Sequence, residues 1–176
     1  MIRSYAIAGA IVASIATWEF LSFPGLLIWA ALIGWAGLHH SGDSDGVVGR
    51  TLIAICFGTF LAWNVSIALL VNTTPLPMPL AAAALVAVVV PIIISLSKFQ
   101  AFKIIPAVFY GFASAFAFLT QTPGKFDMGP LTSFGLDNVL IIVPASMTIG
   151  VVLGLIQRKI AALIFQANPH AEQTSA

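Results

Sequence analysis

The sequence predicts an all-α, polytopic membrane fold of about six transmembrane helices, and three observations predict it. Only seven Lys or Arg and six Asp or Glu occur in 176 residues, 7 % of the chain, where a soluble domain carries about 25 %. Hydrophobic residues make up 60 %; a folded chain of this size still shows much of its surface, and so few charges cannot solvate it. Runs such as Ala81 to Ile94 do not alternate apolar with polar residues, as the strands of a lipid-facing barrel do, so the spans are helices. Residues 1–160 read as one transmembrane domain and residues 161–176 as a polar cytoplasmic tail.

The apolar runs fall at 4–22, 24–38, 47–71, 80–97, 104–120 and 136–157. A helix needs about 20 residues to cross ~30 Å of hydrocarbon, so the second run is short. Arg3 before the first run gives it the outline of a signal peptide, but Trp18, Glu19 and Phe20 are bulky where a cleavage site requires small residues. Phe23-Pro24-Gly25 stops the first run, and Pro24 suits the first turn of the second helix because its missing N–H has no partner there. The loop Ser41 to Gly46 offers Asp or Ser as N-caps for the third helix. Three prolines between Asn72 and Pro79 break the chain before the fourth helix, and Lys98 to Lys103 is a short basic turn. Gln121 to Asp137, rich in Pro and Gly, reads as a surface loop.

With six crossings, Arg3, Arg50, Lys98, Lys103, Arg158 and Lys159 share one side and only Lys125 faces the other. That asymmetry puts both termini in the cytoplasm and the protein in a cell (inner) membrane. A net charge of +1 spread over dispersed cations excludes a nucleic-acid partner. The single cysteine, Cys56, excludes a disulfide framework. His39-His40 with Asp43 and Asp45 has poor spacing for a metal, because adjacent histidines on a helix point about 100° apart; it reads as a solvated loop, as does His170 in the tail. No nucleophile, base and acid set, phosphate-cradling glycine loop or HExxH occurs, so neither an enzyme nor a cofactor is expected.

Glu19 is the only carboxylate well inside an apolar run. It reads either as an interfacial carboxylate beside Trp18 or as a pore-mouth residue. Asn64, in the third run, is either packing glue or a pathway residue. Phe109, Phe112 and Phe116 share a helical stripe that meets lipid or a neighbouring helix, or else narrows a hydrophobic pore. Gly150 and Gly154 form a GxxxG, and Gly34 lies in the second run; small residues at these positions allow close helix packing.

Three runs followed by three, each middle one opened by proline, suggest a 3+3 inverted repeat when Pro24 is set over Pro106. Helical bundles of small apolar residues also align by composition alone, and identity in this register is thin. Two stretches carry a further likeness: Gly25-Leu-Leu-Ile-Trp-Ala-Ala-Leu-Ile-Gly34, and Pro106-Ala-Val-Phe-Tyr-Gly111 with Phe116-Ala117. Through them, most of residues 5–160 resembles the YcdZ-like family of small bacterial inner-membrane proteins, a domain of unknown function. More distantly the chain is similar to an algal low-CO2-inducible membrane protein regarded as a trimeric CO2 channel. The resemblance implies a homo-oligomer, a trimer in the algal case, and no catalytic residues. Together these readings point to a passive channel or facilitator for a small neutral solute or gas, CO2 among them. The alternatives are a non-transporting accessory or assembly subunit and an ion-coupled small-solute transporter.

Overall fold

In the computed structural model, which describes residues 2–167, the chain is a helical bundle with no strand among the described residues. Helix α1 (Ile2–Ser22) is followed by α2 (Ile28–His40), α3 (Val47–Leu70) and α4 (Met78–Leu96). A single 3-10 turn, Gln100–Phe102, leads into α5 (Ile105–Gln121), the short α6 (Met128–Thr132) and α7 (Val139–Ala167). Four of these, α1, α3, α4 and α7, are long and apolar enough to cross a membrane. Helix α5 is apolar but has 17 residues, and α2 has only 13, so α2 is about 20 Å long. Helix α7 runs on to Ala167, past the expected end of the transmembrane domain at residue 160. His170 and the rest of the tail lie outside the described residues.

The expected first turn of α2 is displaced. Pro24 does not sit inside the helix; Gly25 takes a φ of +152° and Leu27 is extended, so the helix begins only at Ile28. A Pro-Gly pair both stops one helix and delays the next, because Gly25 adopts a backbone conformation that side-chain-bearing residues avoid. The Leu27 N–H, left without an intrahelical partner, donates to Ser146 Oγ of α7 at 3.0 Å. The N-cap of α3 likewise departs from expectation: it is Gly46 in the left-handed region (φ +69°), without a side-chain cap.

The expected surface loop between α5 and α7 is in fact partly folded. It contains α6, and Leu131 within it is fully buried. Three groups hold it down. Trp63 Nε1 donates to the Leu131 carbonyl at 2.8 Å, Asn138 Nδ2 donates to the Leu131 and Ser133 carbonyls, and Lys125 pairs with Asp137. Asn138 Oδ1 also accepts from Leu140 N at the start of α7. Asn138→Ala is therefore expected to cost about 1–3 kcal/mol, since it leaves the half-buried Ser133 carbonyl without its donor and the first turn of α7 without its cap, while Trp63 still serves the Leu131 carbonyl; limited proteolysis should then cut between residues 122 and 137, where the parent chain resists.

The core is built on two close helix pairs, α2 with α7 and α3 with α5. Each pair meets through one glycine per helix. A methyl group added at Gly150 would stand 1.7 Å from the Ala31 carbonyl oxygen, and one at Gly34 would stand 2.2 Å from that of Met147. In the other pair, a methyl at Gly58 would lie 1.9 Å from Val108 O and one at Gly111 would lie 2.1 Å from Ile55 O. These backbones touch. Between helices in lipid, where apolar side chains gain little by leaving the surrounding tails, such van der Waals contact supplies the adhesion.

The cations sort by end. Tyr5 of α1 meets His39, Arg158 reaches the Leu38 and Gly42 carbonyls, and Arg50 and Lys103 line one shared cavity. The start of α1, the α2–α3 and α4–α5 connections and the C-terminal part of α7 thus gather at one end of the bundle, while Lys125 pairs with Asp137 at the other.

Candidate functional site

At the cation-rich end a buried amide organises the site. Gln157 of α7 is 7 % exposed. Its Oε1 accepts from Trp35 Nε1 at 2.9 Å and lies 3.0 Å from His39 Nε2, while its Nε2 donates to the Tyr5 carbonyl at 3.2 Å. One side chain therefore ties α1, α2 and α7 together. If His39 Nε2–H donates to Gln157, His39 Nδ1 is free to accept from Tyr5 O–H, 3.4 Å away, and a single neutral tautomer serves both contacts. Arg158, the next residue, covers the C-terminal carbonyls of α2 at Leu38 and Gly42 and pairs with Asp43. A cation there complements the negative end of the helix.

Beside this cluster lies a cavity of about 440 Å³ with Tyr5, His39, Asp43 and Arg158 on its polar wall and Ala161 and Phe165 on its apolar one. His39-His40 is therefore not a free loop but the last turn of α2. His40 stacks on Tyr110, whose hydroxyl lies 2.5 Å from His40 Nδ1.

A second cavity, about 540 Å³, opens at the opposite end between α3, α4 and α5. Leu69, Met78, Ala82, Phe116 and Leu119 form its wall, Thr120 its polar edge, and residues 122–126 its cover. Phe116 stands edge-on to Phe112, with ring centroids 5.1 Å apart.

Of the residues singled out from sequence, Phe112 is buried and Phe109 and Phe116 are half-buried against the same core; only Phe116 of the three reaches the second cavity. Glu19 is exposed at the far end of α1, and Asn64 is exposed on the outer face of α3, bonded through Nδ2 to its own Phe60 carbonyl at 2.8 Å. Neither lines either cavity. Gly34 and Gly150 come together as described, and Gly154 packs against the side chains of Leu38 and Trp35. Sequence reasoning passed over Gln157, Trp35 and Tyr5. The signal was present: Gln157 continues the face of Gly150 and Gly154, so a polar residue falls on a packing face and must find partners there. Among the described residues no three His, Cys, Asp or Glu stand together as metal ligands.

The model of one family of proteins of unknown function, DUF1097, matches residues 6–162. No curated protein and no solved structure matches the chain.

Proposed function

The chain belongs to the DUF1097 family of proteins of unknown function, and we propose that it is a six-crossing inner-membrane facilitator, built as a 3+3 inverted repeat, for a small neutral solute or gas such as CO2. The observation that carries this reading is that two of the cavities, those of about 440 and 540 Å³, use corresponding positions of two half-chains and open at opposite ends of the bundle. Laying Ile28 of α2 on Ile105 of α5 sets Ala30 on Ala107, Gly34 on Gly111 and Trp35 on Phe112, every one of them buried. The same register sets Ser4, Val12 and Ala16 of α1 on Ala81, Val89 and Ile93 of α4, again all buried. Laying Val47 of α3 on Val139 of α7 sets Ile55 on Met147 and Gly58 on Gly150. The two glycine contacts then become copies of each other: Ala31 and Gly34 against Met147 and Gly150, and Val108 and Gly111 against Ile55 and Gly58.

In this register Tyr5, His39, Gly42, Asp43 and Ala161 of the first cavity correspond to Ala82, Phe116, Leu119, Thr120 and Leu69 of the second. It differs by more than a helical turn from the one that sets Pro24 over Pro106, because Pro24 precedes its helix whereas Pro106 lies in the first turn of its own. The halves differ mainly where α6 and its flanking residues lengthen the second connection.

Short or interrupted helices at matching places of two inverted halves mark the solute path in known transporter architectures. Here α2, with its extended lead-in, and α5 are the two shortest of the six larger helices. Six crossings also bring the six cations of the crowded end into the cytoplasm with both termini. The distant likeness to an algal membrane protein regarded as a CO2 channel supports the same reading; the YcdZ-like proteins have no assigned function and support only the membrane family. A neutral solute is favoured over an ion because the second cavity is almost wholly apolar and Glu19 stands outside both. The accessory-subunit reading is favoured by one observation, the touching backbones at Gly34, Gly58, Gly111 and Gly150 that leave no path between α2 and α7 or between α3 and α5 at those points.

Purified protein in liposomes decides between them. Stopped-flow uptake of CO2 or a small amide is expected to exceed that of empty vesicles, to fall at least about twofold with Phe116→Trp, whose larger ring narrows the second cavity, and to be unchanged by Glu19→Gln. Flux no greater than that of empty vesicles for every solute tried would remove the facilitator reading, and loss on Glu19→Gln would favour ion coupling.

A further inference from the structure

We propose that the cavity between the α2–α3 loop and the turn before α5 binds a phosphate group, where the cation-rich end of the bundle meets the lipid headgroups. Ser44 and Asp45 of the loop, Arg50 in the first turn of α3, and Gln100 and Lys103 of the turn line a space of about 500 Å³. Four of these side chains hold unspent donors. Arg50 Nη2 donates to Ser44 Oγ at 2.7 Å, and the other guanidinium N–H groups have no acceptor among the described residues. Ser44 accepts that bond, so its own hydroxyl hydrogen is still available. The Lys103 ammonium and the Gln100 carboxamide likewise have no acceptor among the described residues.

Neither cation of this cavity is paired. Lys125 pairs with Asp137, Arg158 pairs with Asp43, and Lys98 lies over the Phe99 ring. Arg50 and Lys103 have no carboxylate partner among the described residues, although Asp45 stands on the same wall. The cavity beside Gln157 differs, because there Asp43 already neutralises Arg158. Two helix ends add to the positive field. Gly46 begins α3 and Ile104 begins α5, both without a side-chain cap, and neither helix has an acidic residue in its first turn. Asp45 alone opposes two cations and two helix N-termini. An anion supplies both the charge and the acceptors that the wall lacks.

The donor set suits phosphate, whose several oxygens can accept from a guanidinium, an ammonium, a hydroxyl and an amide together. Depth points to where such a group is found. Val88, Ile92 and Ile94 are exposed apolar residues of α4, and exposed Phe99 directly precedes Gln100. The cavity therefore begins where the lipid-facing surface of α4 ends, at the level of phospholipid phosphodiesters and of the water beside them.

The inference rests on this end of the bundle facing a membrane surface and not on the solute path. Calorimetric titration of the detergent-purified full chain tests it with two probes, short-chain phosphatidylglycerol and inorganic phosphate. Saturable binding is expected, of the lipid alone if the group comes from a headgroup and of the free ion also if it comes from solution. Arg50→Gln and Lys103→Gln should each weaken that binding about fivefold, Asp45→Asn should strengthen it, and Arg50→Lys should keep most of it. Lys159→Gln removes the same charge from an exposed position at the same end but outside the cavity, and should leave binding unchanged. Lys103 makes no bond that its replacement would break, so Lys103→Gln keeps the test decisive even where Arg50→Gln fails to fold. Saturable binding of neither probe, or losses with Lys103→Gln no greater than with Lys159→Gln, would overturn the proposal.

Discussion

Gly150→Ala is expected to be among the most damaging single methyl additions in this chain. The new Cβ would stand 1.7 Å from the Ala31 carbonyl oxygen, 2.6 Å from its carbon and 2.9 Å from its Cα, all of them backbone. No rotamer relieves an overlap with backbone, so α2 must move off α7, and the Leu27–Ser146 and Trp35–Gln157 bonds stretch with it. A cost of about 3 kcal/mol follows, which for a chain of this size lowers the melting temperature in detergent by roughly 6–12 °C. Gly58→Ala should behave alike, since its Cβ would stand 1.9 Å from Val108 O. Gly154→Ala should cost less, because the atoms in its way are the side chains of Leu38 and Trp35, both at 2.9 Å, and these can turn aside. Gly49→Ala meets nothing within 4 Å and should be neutral. This ranking depends on what each methyl would touch; equal losses at Gly150 and Gly49 would contradict the backbone contact.

Gln157→Leu should have the second large effect, and a local one. The substitution fills similar volume but removes the acceptor of Trp35 Nε1–H, the partner of His39 and the donor to the Tyr5 carbonyl. Buried polar groups left unsatisfied cost about 1–3 kcal/mol each, and partial access to water at this end limits the sum to about 2–4 kcal/mol. Hydrogen exchange should rise in the first turns of α1 and the last turn of α2, while α3 and α5 keep their protection. Gln157→Glu keeps the acceptor for Trp35 but cannot donate to Tyr5 O, so it should fall between the two.

Much of the bundle was legible because composition decides it. Six apolar runs mark the six larger helices, and the polar and proline-rich breaks fall between them. What was not legible depended on tertiary contact. The start of α2 was misplaced because Pro-Gly is as compatible with an opening turn as with an extended lead-in, and only the Ser146 hydroxyl that receives the Leu27 N–H distinguishes the two. Gly150 and Gly154 drew notice as a GxxxG, yet the tightest contacts use one glycine from each of two helices. Gly58 and Gly111 have no second glycine at that spacing, but each stands between alanines, Ala54 and Ala62 in α3 and Ala107 and Ala115 in α5, and that stripe of small residues is the signal the sequence offers. The loop after α5 looked free because its Pro, Gly and charged residues are those of a surface loop; Trp63 and Asn138, which fold it against the bundle, lie outside it in sequence. Asn64 reads from sequence as packing glue or a pathway residue, whereas it stands exposed on the outer face of α3, because which face of α3 the other helices cover is a tertiary matter.

Side-specific labelling tests the inverted arrangement most directly. Asp43 and Thr120 occupy matching positions at the edges of the two cavities, and both are exposed. In a Cys56→Ser background, Asp43→Cys and Thr120→Cys are treated with a membrane-impermeant maleimide in intact cells and again after permeabilisation. Thr120→Cys is expected to label in intact cells and Asp43→Cys only once the membrane is opened; labelling of both from the same side would contradict two halves running through the membrane in opposite directions.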